Sequence, residues 1–193
     1  MLDLKVINIW AAPGVGKSTT AAGLYYHMKQ LGCSVELVTE FAKDLTWERN
    51  MTGLQNQLAI LGEQDHRLRR LEGKVEFAIT DSPLPLGIAY LTPEYDEMGL
   101  DDAILNAYGR YRNFDYLLAR VKPYRTEGRN QTQHEALVLD ATVMDLFRET
   151  TDWDGSEADY DSAAFYFPAD EWAVSRIALT LPLHADAEKS LAA

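Results

Sequence analysis

The sequence predicts an α/β protein, with a five-stranded parallel sheet and helices on both of its faces. Two observations support this prediction. Short apolar runs rich in β-branched residues alternate along the chain with segments of helical periodicity. A glycine-rich segment, residues 11–18, joins the first apolar run to the first helical pattern. Ligands of such sheets bind at the carboxyl ends of the parallel strands.

The individual elements follow from these patterns. The predicted strands are residues 4–10, 34–39, 74–80, 115–121 and 163–167. The predicted helices are residues 17–31, 54–71, 100–112, 133–149 and 169–181. Gly32 and Gly73 end the first two helices, because glycine readily adopts the conformation that follows a helix C-terminus. The length of 193 residues fits one domain, so we treat residues 1–193 as a single unit.

Composition narrows the class of protein. The hydrophobic fraction of 47% and the charged fraction of 25% are those of a soluble globular chain. No apolar run approaches the roughly 20 residues of a membrane span, and the first strand follows the N-terminus without a signal-peptide pattern. We therefore expect a cytoplasmic protein with no membrane partner. The one cysteine, Cys33, permits no internal disulfide, and the four histidines have no zinc-ligand spacing.

The chain is acidic, with a formal net charge of −12. Acidic residues cluster at about 151–162, which we predict to be a loop before the last strand. A field of this sign disfavours binding to nucleic-acid backbones. A polynucleotide partner would therefore need a local basic patch.

Residues 11–18 read A-A-P-G-V-G-K-S, the Walker A phosphate-binding pattern with Ala11 in place of its first glycine. Gly14 and Gly16 allow backbone N–H groups to converge on phosphates at the positive end of a helix dipole. Lys17 is predicted to bridge the β- and γ-phosphates of ATP, and the Ser18 hydroxyl to hold Mg²⁺. The predicted nucleotide-binding residues are Pro13, Gly14, Val15, Gly16, Lys17, Ser18 and Thr19.

Asp81 follows the third predicted strand directly. A carboxylate there can orient Mg²⁺ through water, or accept the proton of an attacking hydroxyl. Asp81 could instead cap the turn at Ser82, since aspartate readily accepts hydrogen bonds from nearby backbone N–H groups. The two roles are compatible, and we predict Asp81 as a catalytic and metal-site residue.

Glu40 ends the second predicted strand and is followed by Trp47. In small-molecule kinases built on this sheet, a carboxylate at this point faces the acceptor, and an aromatic soon after it can wall the acceptor pocket. The alternatives are an acid at the start of a helix for Glu40 and a core position for Trp47. We predict Glu40 as a candidate general base and favour the core for Trp47.

Two groups of cations could contact phosphates. Residues 120–132 carry four cations with Gly and Pro, the composition of a mobile lid, and Arg125 and Arg129 are its predicted catalytic residues because a guanidinium binds phosphate oxygens bidentately. A second group ends the helix 54–71 and comprises Arg67, Arg69, Arg70 and Lys74. These bases either stabilise the helix dipole or contact phosphates of an acceptor.

Four segments together carry a resemblance, and they read AAPGVGKSTTAAGL, VELVTEFAKD, FAITDSP and VKPYRTEGRNQT. In this order they resemble the bacteriophage P-loop kinases, which are similar to nicotinamide riboside kinase domains and, more distantly, to deoxynucleoside and thymidylate kinases. The resemblance covers about residues 3–150. It implies a three-layer α/β/α fold with a basic lid, ATP and Mg²⁺ as cofactors, nucleotide and metal roles for Lys17 and Ser18, and lid roles for Arg125 and Arg129.

The bacteriophage group includes kinases of 5-hydroxymethyluracil in DNA. The resemblance therefore implies phosphoryl transfer to hydroxymethylated DNA in the cytoplasm of an infected bacterium. A kinase of a free nucleoside or nucleotide is the alternative, although Asp81 lacks the Asp-Arg-Tyr or Glu-Arg-Ser motif of thymidylate and deoxynucleoside kinases. An ATP-hydrolysing switch protein is a third possibility. The oligomeric state does not follow from the sequence.

Overall fold

The computed structural model describes residues 4–123, 132–156, 158–159 and 162–182. Its strands are β1 (Lys5–Trp10), β2 (Val35–Val38), β3 (Phe77–Thr80), β4 (Arg112–Ala119), β5 (Ala158–Asp159) and β6 (Ala164–Pro168). They form one sheet in the order β2-β3-β1-β4-β6-β5. Five of these strands are parallel, and the two-residue β5 pairs antiparallel with β6 at the edge.

The helices connect these strands. They are α1 (Lys17–Gln30), α2 (Phe41–Trp47), α3 (Met51–Gln55), α4 (Gln57–Arg69), α5 (Pro93–Glu97), α6 (Leu100–Tyr108), α7 (Gln133–Thr151) and α8 (Ala173–Thr180). A 3₁₀ helix, Leu84–Tyr90, follows β3. Among the described residues, no helix combines the length and the apolar composition that crossing a membrane requires.

Side-chain alternation along β1 gives the sheet two apolar faces. Ile7 and Ile9 pack against α1 and α8 on one face. Val6 and Trp10 point to the opposite face, where α4, α6, α7 and the 3₁₀ helix cover the sheet. The result is the predicted three-layer α/β/α arrangement, in which loops at the carboxyl ends of the strands remain available for a site.

The five predicted parallel strands are confirmed, and several boundaries differ. The predicted helix 54–71 is two helices, because Asn56 lies between α3 and α4 and caps α4 by accepting a hydrogen bond from the Ala59 N–H at 3.1 Å. The predicted helix 100–112 ends at Tyr108. Strand β4 begins at Arg112, three residues before the predicted start at residue 115. The helices α2 and α5 were not predicted.

Candidate functional site

The predicted phosphate-binding segment, residues 11–18 and called the phosphate loop below, lies at the carboxyl end of β1 and leads into α1. Gly14 has φ 80° and Gly16 has φ 132°, backbone conformations that favour glycine. Val15 is 2% exposed and packs into the core, which anchors the loop from below. The predicted segment 11–18 therefore has the connection that a phosphate cradle requires, from a buried strand into a helix N-terminus.

The side chains of Lys17 and Ser18 both contact groups at the mouth of this loop. Lys17 Nζ donates hydrogen bonds to the backbone oxygens of Ala11, at 2.8 Å, and Ala12, at 3.4 Å. The hydroxyl of Ser18 accepts a hydrogen bond from Lys43 Nζ at 3.2 Å. Thr19, the last of the predicted nucleotide-binding residues, is exposed on the first turn of α1.

Asp81 and Glu40 lie at the carboxyl ends of neighbouring strands and are joined directly. The buried carboxylate of Asp81 accepts a hydrogen bond from the Glu40 N–H, with 2.9 Å between N and Oδ1. The N–H of Ser82 donates instead to the hydroxyl of Thr80 at 3.1 Å. Asp81 therefore links two strand ends, and the turn that follows it is capped by Thr80.

Glu40 occupies the N-cap position of α2, but its side chain does not cap the helix. Burial raises the pKa of this half-buried carboxyl above its ordinary value, while the charges of Lys17 and Lys43 act in the opposite direction on the same pKa. Asp81 and Asp44 add to the increase in the pKa. A carboxyl group with a raised pKa, whose charged form two lysines also favour, is suited to accepting a proton.

The oxygen donors at this edge of the sheet fit Mg²⁺. Ser18 offers a hydroxyl and Asp81 a carboxylate, and Mg²⁺ completes its octahedral shell with water and phosphate oxygens rather than with a full set of protein ligands. The described residues contain no group of three or more His, Cys, Asp or Glu side chains arranged to hold a metal ion.

A small cleft, partly open to solvent, begins at Ser82, the residue after Asp81. Its polar lining includes Gln57, Gln64 and Ser82, and its apolar lining includes Leu61 and Leu91. Gln64 connects the cleft to the start of α2, because its side-chain oxygen accepts a hydrogen bond from the N–H of the residue after Glu40 at 3.2 Å.

Trp47 does not lie in the core, as we expected, but is 65% exposed at the end of α2. The reason is that α2 is a short helix that buries only Leu45. The alternative interpretation, an aromatic side chain available to an acceptor, is therefore compatible with the geometry.

The lid prediction concerns residues 120–132, and Arg125 and Arg129 lie outside the described residues. Arg120, the first cation of the predicted lid, is engaged in contacts with other parts of the protein. It forms a bidentate ion pair with Asp140 of α7, at 2.8 and 2.9 Å, and donates to the backbone oxygen of Pro13 at 2.9 Å. Arg120 thus connects the phosphate loop to α7.

The bases at the end of α4 are largely engaged within the protein. Arg67 forms ion pairs with Glu63 at 2.8 Å and Asp44 at 3.1 Å, and its side chain is 18% exposed. Arg69 pairs with Asp65 at 2.8 Å. These carboxylates partly neutralise the positive charge at the end of α4. The prediction that the bases could contact acceptor phosphates did not take these ion pairs into account.

Sequence reasoning missed Lys43 and Gln64. Lys43 is three residues after Glu40, and a prediction of α2 would have placed the two residues on one side of a helix. No local signal identifies Gln64, because its contacts with the start of α2 and with Thr80 join segments that are distant in sequence.

Comparison with known proteins supports the fold. No protein-family model matches the sequence, and no curated protein sequence does so either. Among solved structures, deoxyadenosine kinase from M. mycoides, solved with products dCMP and a flexible dCDP bound, matches with a TM-score of 0.52 and 17% identity over 90% of this chain and 95% of that one. A protein described as APE1195 matches with a TM-score of 0.41 and 17% identity, over 93% of this chain and 96% of that one. The fold is thus the three-layer P-loop kinase fold seen in deoxyadenosine kinase.

Proposed function

We propose that this protein is an ATP-dependent kinase that transfers the γ-phosphoryl group to a hydroxyl of a nucleoside or nucleotide, with Mg²⁺ as its metal ion. One observation carries the proposal. Asp81 and Glu40, at the ends of adjacent strands, are joined by a 2.9 Å hydrogen bond, and both Lys17 of the phosphate loop and Asp81 act electrostatically on Glu40. A triphosphate-binding loop and a candidate base therefore belong to one cluster.

The residues have complementary roles in the proposed reaction. The phosphate loop and Lys17 bind the triphosphate, and the lid residues Arg125 and Arg129 are proposed to neutralise its charge. Ser18 and Asp81 would hold Mg²⁺, which helps to neutralise the phosphates when bound. The acceptor oxygen forms a bond to the γ-phosphorus while the bond to the β–γ bridging oxygen breaks. The electron pair of the broken bond leaves with ADP, and Glu40 takes up the proton of the acceptor hydroxyl.

The cleft beside Asp81 favours a small acceptor. Its lining combines the amide side chains of Gln57 and Gln64 with apolar side chains, which suits a heterocycle with polar edges such as a nucleobase. The exposed Trp47, on the helix that Glu40 begins, offers an additional aromatic surface.

Hydroxymethylated DNA is the second candidate acceptor. In its favour, Arg70 and Lys74 are exposed beside Arg69 and could contact a phosphate backbone. Against it, the ion pairs of Arg67 and Arg69 reduce the positive charge of this edge, and the whole chain is acidic. A small-molecule acceptor requires no such patch.

Transfer of label from γ-labelled ATP tests the proposal. Purified protein is incubated with nucleosides, with nucleoside monophosphates, with hydroxymethylated duplex DNA, or with no acceptor. We expect label in a nucleoside or nucleotide product. Label in DNA would select the second candidate, and release of phosphate alone would identify an ATP-hydrolysing switch.

Lys17→Ala should lower the turnover of the labelled product about 100- to 1,000-fold, by analogy with the loss of one preorganised donor. Lys29→Ala is the matched control, since Lys29 pairs with Glu36 on the surface at 3.1 Å. A Lys17→Ala variant with more than half of wild-type turnover would contradict the assignment of the phosphate loop.

Glu40→Gln should lower turnover by about 100-fold or more, the contribution of general-base catalysis, while the affinity for ATP stays close to that of the wild type. Asp81→Asn should in addition raise the Mg²⁺ concentration needed for half-maximal rate. Steady-state kinetics over ATP and Mg²⁺ concentrations measure both effects. A fully active Glu40→Gln variant would exclude Glu40 as the base.

A further inference from the structure

Lys43 extends from the acceptor side of the site to the nucleotide side. It lies in the first turn of α2, three residues after Glu40, and its ammonium donates a hydrogen bond to Ser18 Oγ at 3.2 Å. Ser18 belongs to α1 and is the last residue of the phosphate loop. The half-buried lysine side chain therefore crosses the gap between the loop that would hold the triphosphate and the helix that Glu40 begins.

Helix stability does not explain this position. A cation in the first turn of a helix opposes the helix dipole and so destabilises the helix. The adjacent carboxylate, Asp44, pairs with Arg67 at 3.1 Å. Within residues 4–123 and 132–156, Lys43 takes part in no ion pair, and its recorded partner is the neutral hydroxyl of Ser18.

The contact with Ser18 is weak enough to be exchanged. The net contribution of such a hydrogen bond, even with a charged donor, is comparable to the entropic cost of ordering a lysine side chain. A phosphate oxygen is a stronger partner, since both donor and acceptor are then charged. Ser18 Oγ also cannot hold an ammonium and Mg²⁺ together, because the two cations repel at this distance.

We propose that Lys43 is a second phosphate-binding cation of the site, which contacts the γ-phosphoryl group as it passes to the acceptor hydroxyl. This inference rests on the proposed kinase function. Lys43 stays protonated throughout: it neutralises charge on the transferred oxygens while the acceptor proton goes to Glu40 and the β–γ bond breaks. Its departure from Ser18 leaves that hydroxyl available to Mg²⁺.

The test compares binding of two nucleotides, each with Mg²⁺: ADP, and the non-hydrolysable ATP analogue with an imido group between its β- and γ-phosphorus atoms. Calorimetry gives the ratio of the two affinities. In Lys43→Met we expect the preference for the analogue over ADP to fall at least fivefold, with ADP bound no more weakly than by the wild type. Lys43→Arg should restore most of the preference, because it restores the charge.

Two further variants exclude a purely structural role. Lys43→Gln keeps a donor for Ser18 but removes the charge, so it should behave like Lys43→Met. Lys29→Met removes a lysine from the surface of α1 and should leave the ratio unchanged. A structural defect would instead weaken the binding of both nucleotides together.

The outcomes separate the inference from the proposed function. If the wild type binds both nucleotides and Lys43→Met and Lys43→Gln keep its affinity ratio, the role of Lys43 is overturned and the kinase proposal stands. If the affinities for the two nucleotides fall by the same factor in both variants, the role of Lys43 is overturned as well. If the wild type binds neither nucleotide, the proposed function itself fails.

Discussion

At the scale of single residues, the most unusual group is a buried carboxylate outside the candidate site. Asp115 of β4 is 2% exposed and accepts hydrogen bonds from Trp10 Nε1 and the Tyr108 hydroxyl, both at 2.7 Å. Burial raises the pKa of Asp115 to about 6, although hydrogen bonds from Trp10, Tyr108 and Asn8 act to lower it. The network ties β1, β4 and α6 together on the face opposite α1.

The raised pKa of Asp115 predicts a pH-dependent stability. The folded state binds the proton more tightly than the unfolded state, whose aspartate pKa is about 3.9. The contribution of Asp115 to stability is therefore fully present below about pH 4, and it is lost as the pH rises to the folded pKa of about 6. The loss is about 3 kcal/mol at about 1.4 kcal/mol per pKa unit.

Asp115→Asn cannot ionise and should lack this dependence. Between about pH 4 and 7, its free energy of unfolding should therefore rise relative to that of the wild type by about 3 kcal/mol. Urea unfolding of both proteins across this range measures the difference. A constant difference would show that the carboxyl of Asp115 titrates alike in the folded and unfolded chains.

At the scale of elements, the contact between α1 and α8 determines how closely the phosphate-loop helix is held. A Cβ atom at Gly23 of α1 would lie 3.0 Å from Val174 Cγ2 of α8. That distance is shorter than an ordinary van der Waals contact. The helices α1 and α8 therefore approach this closely only because position 23 carries no side chain. Gly62, in the exposed face of α4, has nothing within 4 Å of the same atom.

These two glycines should respond oppositely to substitution. Gly23→Leu should destabilise the protein by about 1–3 kcal/mol, since an overpacked side chain forces the two helices apart. Gly62→Ala should stabilise it by roughly 0.5–1 kcal/mol, because alanine loses less backbone entropy in a helix. Chemical denaturation measures both. A Gly23→Leu variant as stable as the wild type would contradict the close approach of α1 and α8.

At the scale of the whole molecule, charge bears on the acceptor. The net charge of −12 repels a polyanion, and Arg67 and Arg69 at the end of α4 are paired with Glu63, Asp44 and Asp65. A nucleoside is neutral, so its binding does not depend on this field. The two candidate acceptors therefore differ in their expected response to salt.

We expect the protein to bind a labelled hydroxymethylated duplex weakly between about 50 and 200 mM salt. Substituting Arg69→Ala together with Arg70→Ala should leave this binding unchanged. Phosphorylation of a small acceptor by the same variant should equal that of the wild type. Fluorescence anisotropy and the label-transfer assay provide the two measurements. Tight duplex binding whose salt slope decreases by about one unit for each lost contact would instead support the DNA acceptor.

The elements that could be predicted from the sequence are those whose signals are local in the chain. The parallel strands follow from short apolar runs, and the phosphate loop from glycines at the two positions with positive φ. Glu40 and Asp81 were predicted from their places at strand ends, because parallel strands bring those ends to one edge of the sheet. Their catalytic roles, and those of Lys17, Arg125 and Arg129, remain predictions.

Which side chains contact one another follows from the three-dimensional fold and could not be predicted. The hydrogen bond between Asp81 and the Glu40 N–H joins residues 41 positions apart, and Lys43 lies 25 positions from Ser18. Trp47 is exposed because α2 is short, and the arginines of α4 are paired because Asp44 and Asp65 lie within reach. Such contacts depend on the packing of distant segments, whereas residue type and spacing report only on the local chain.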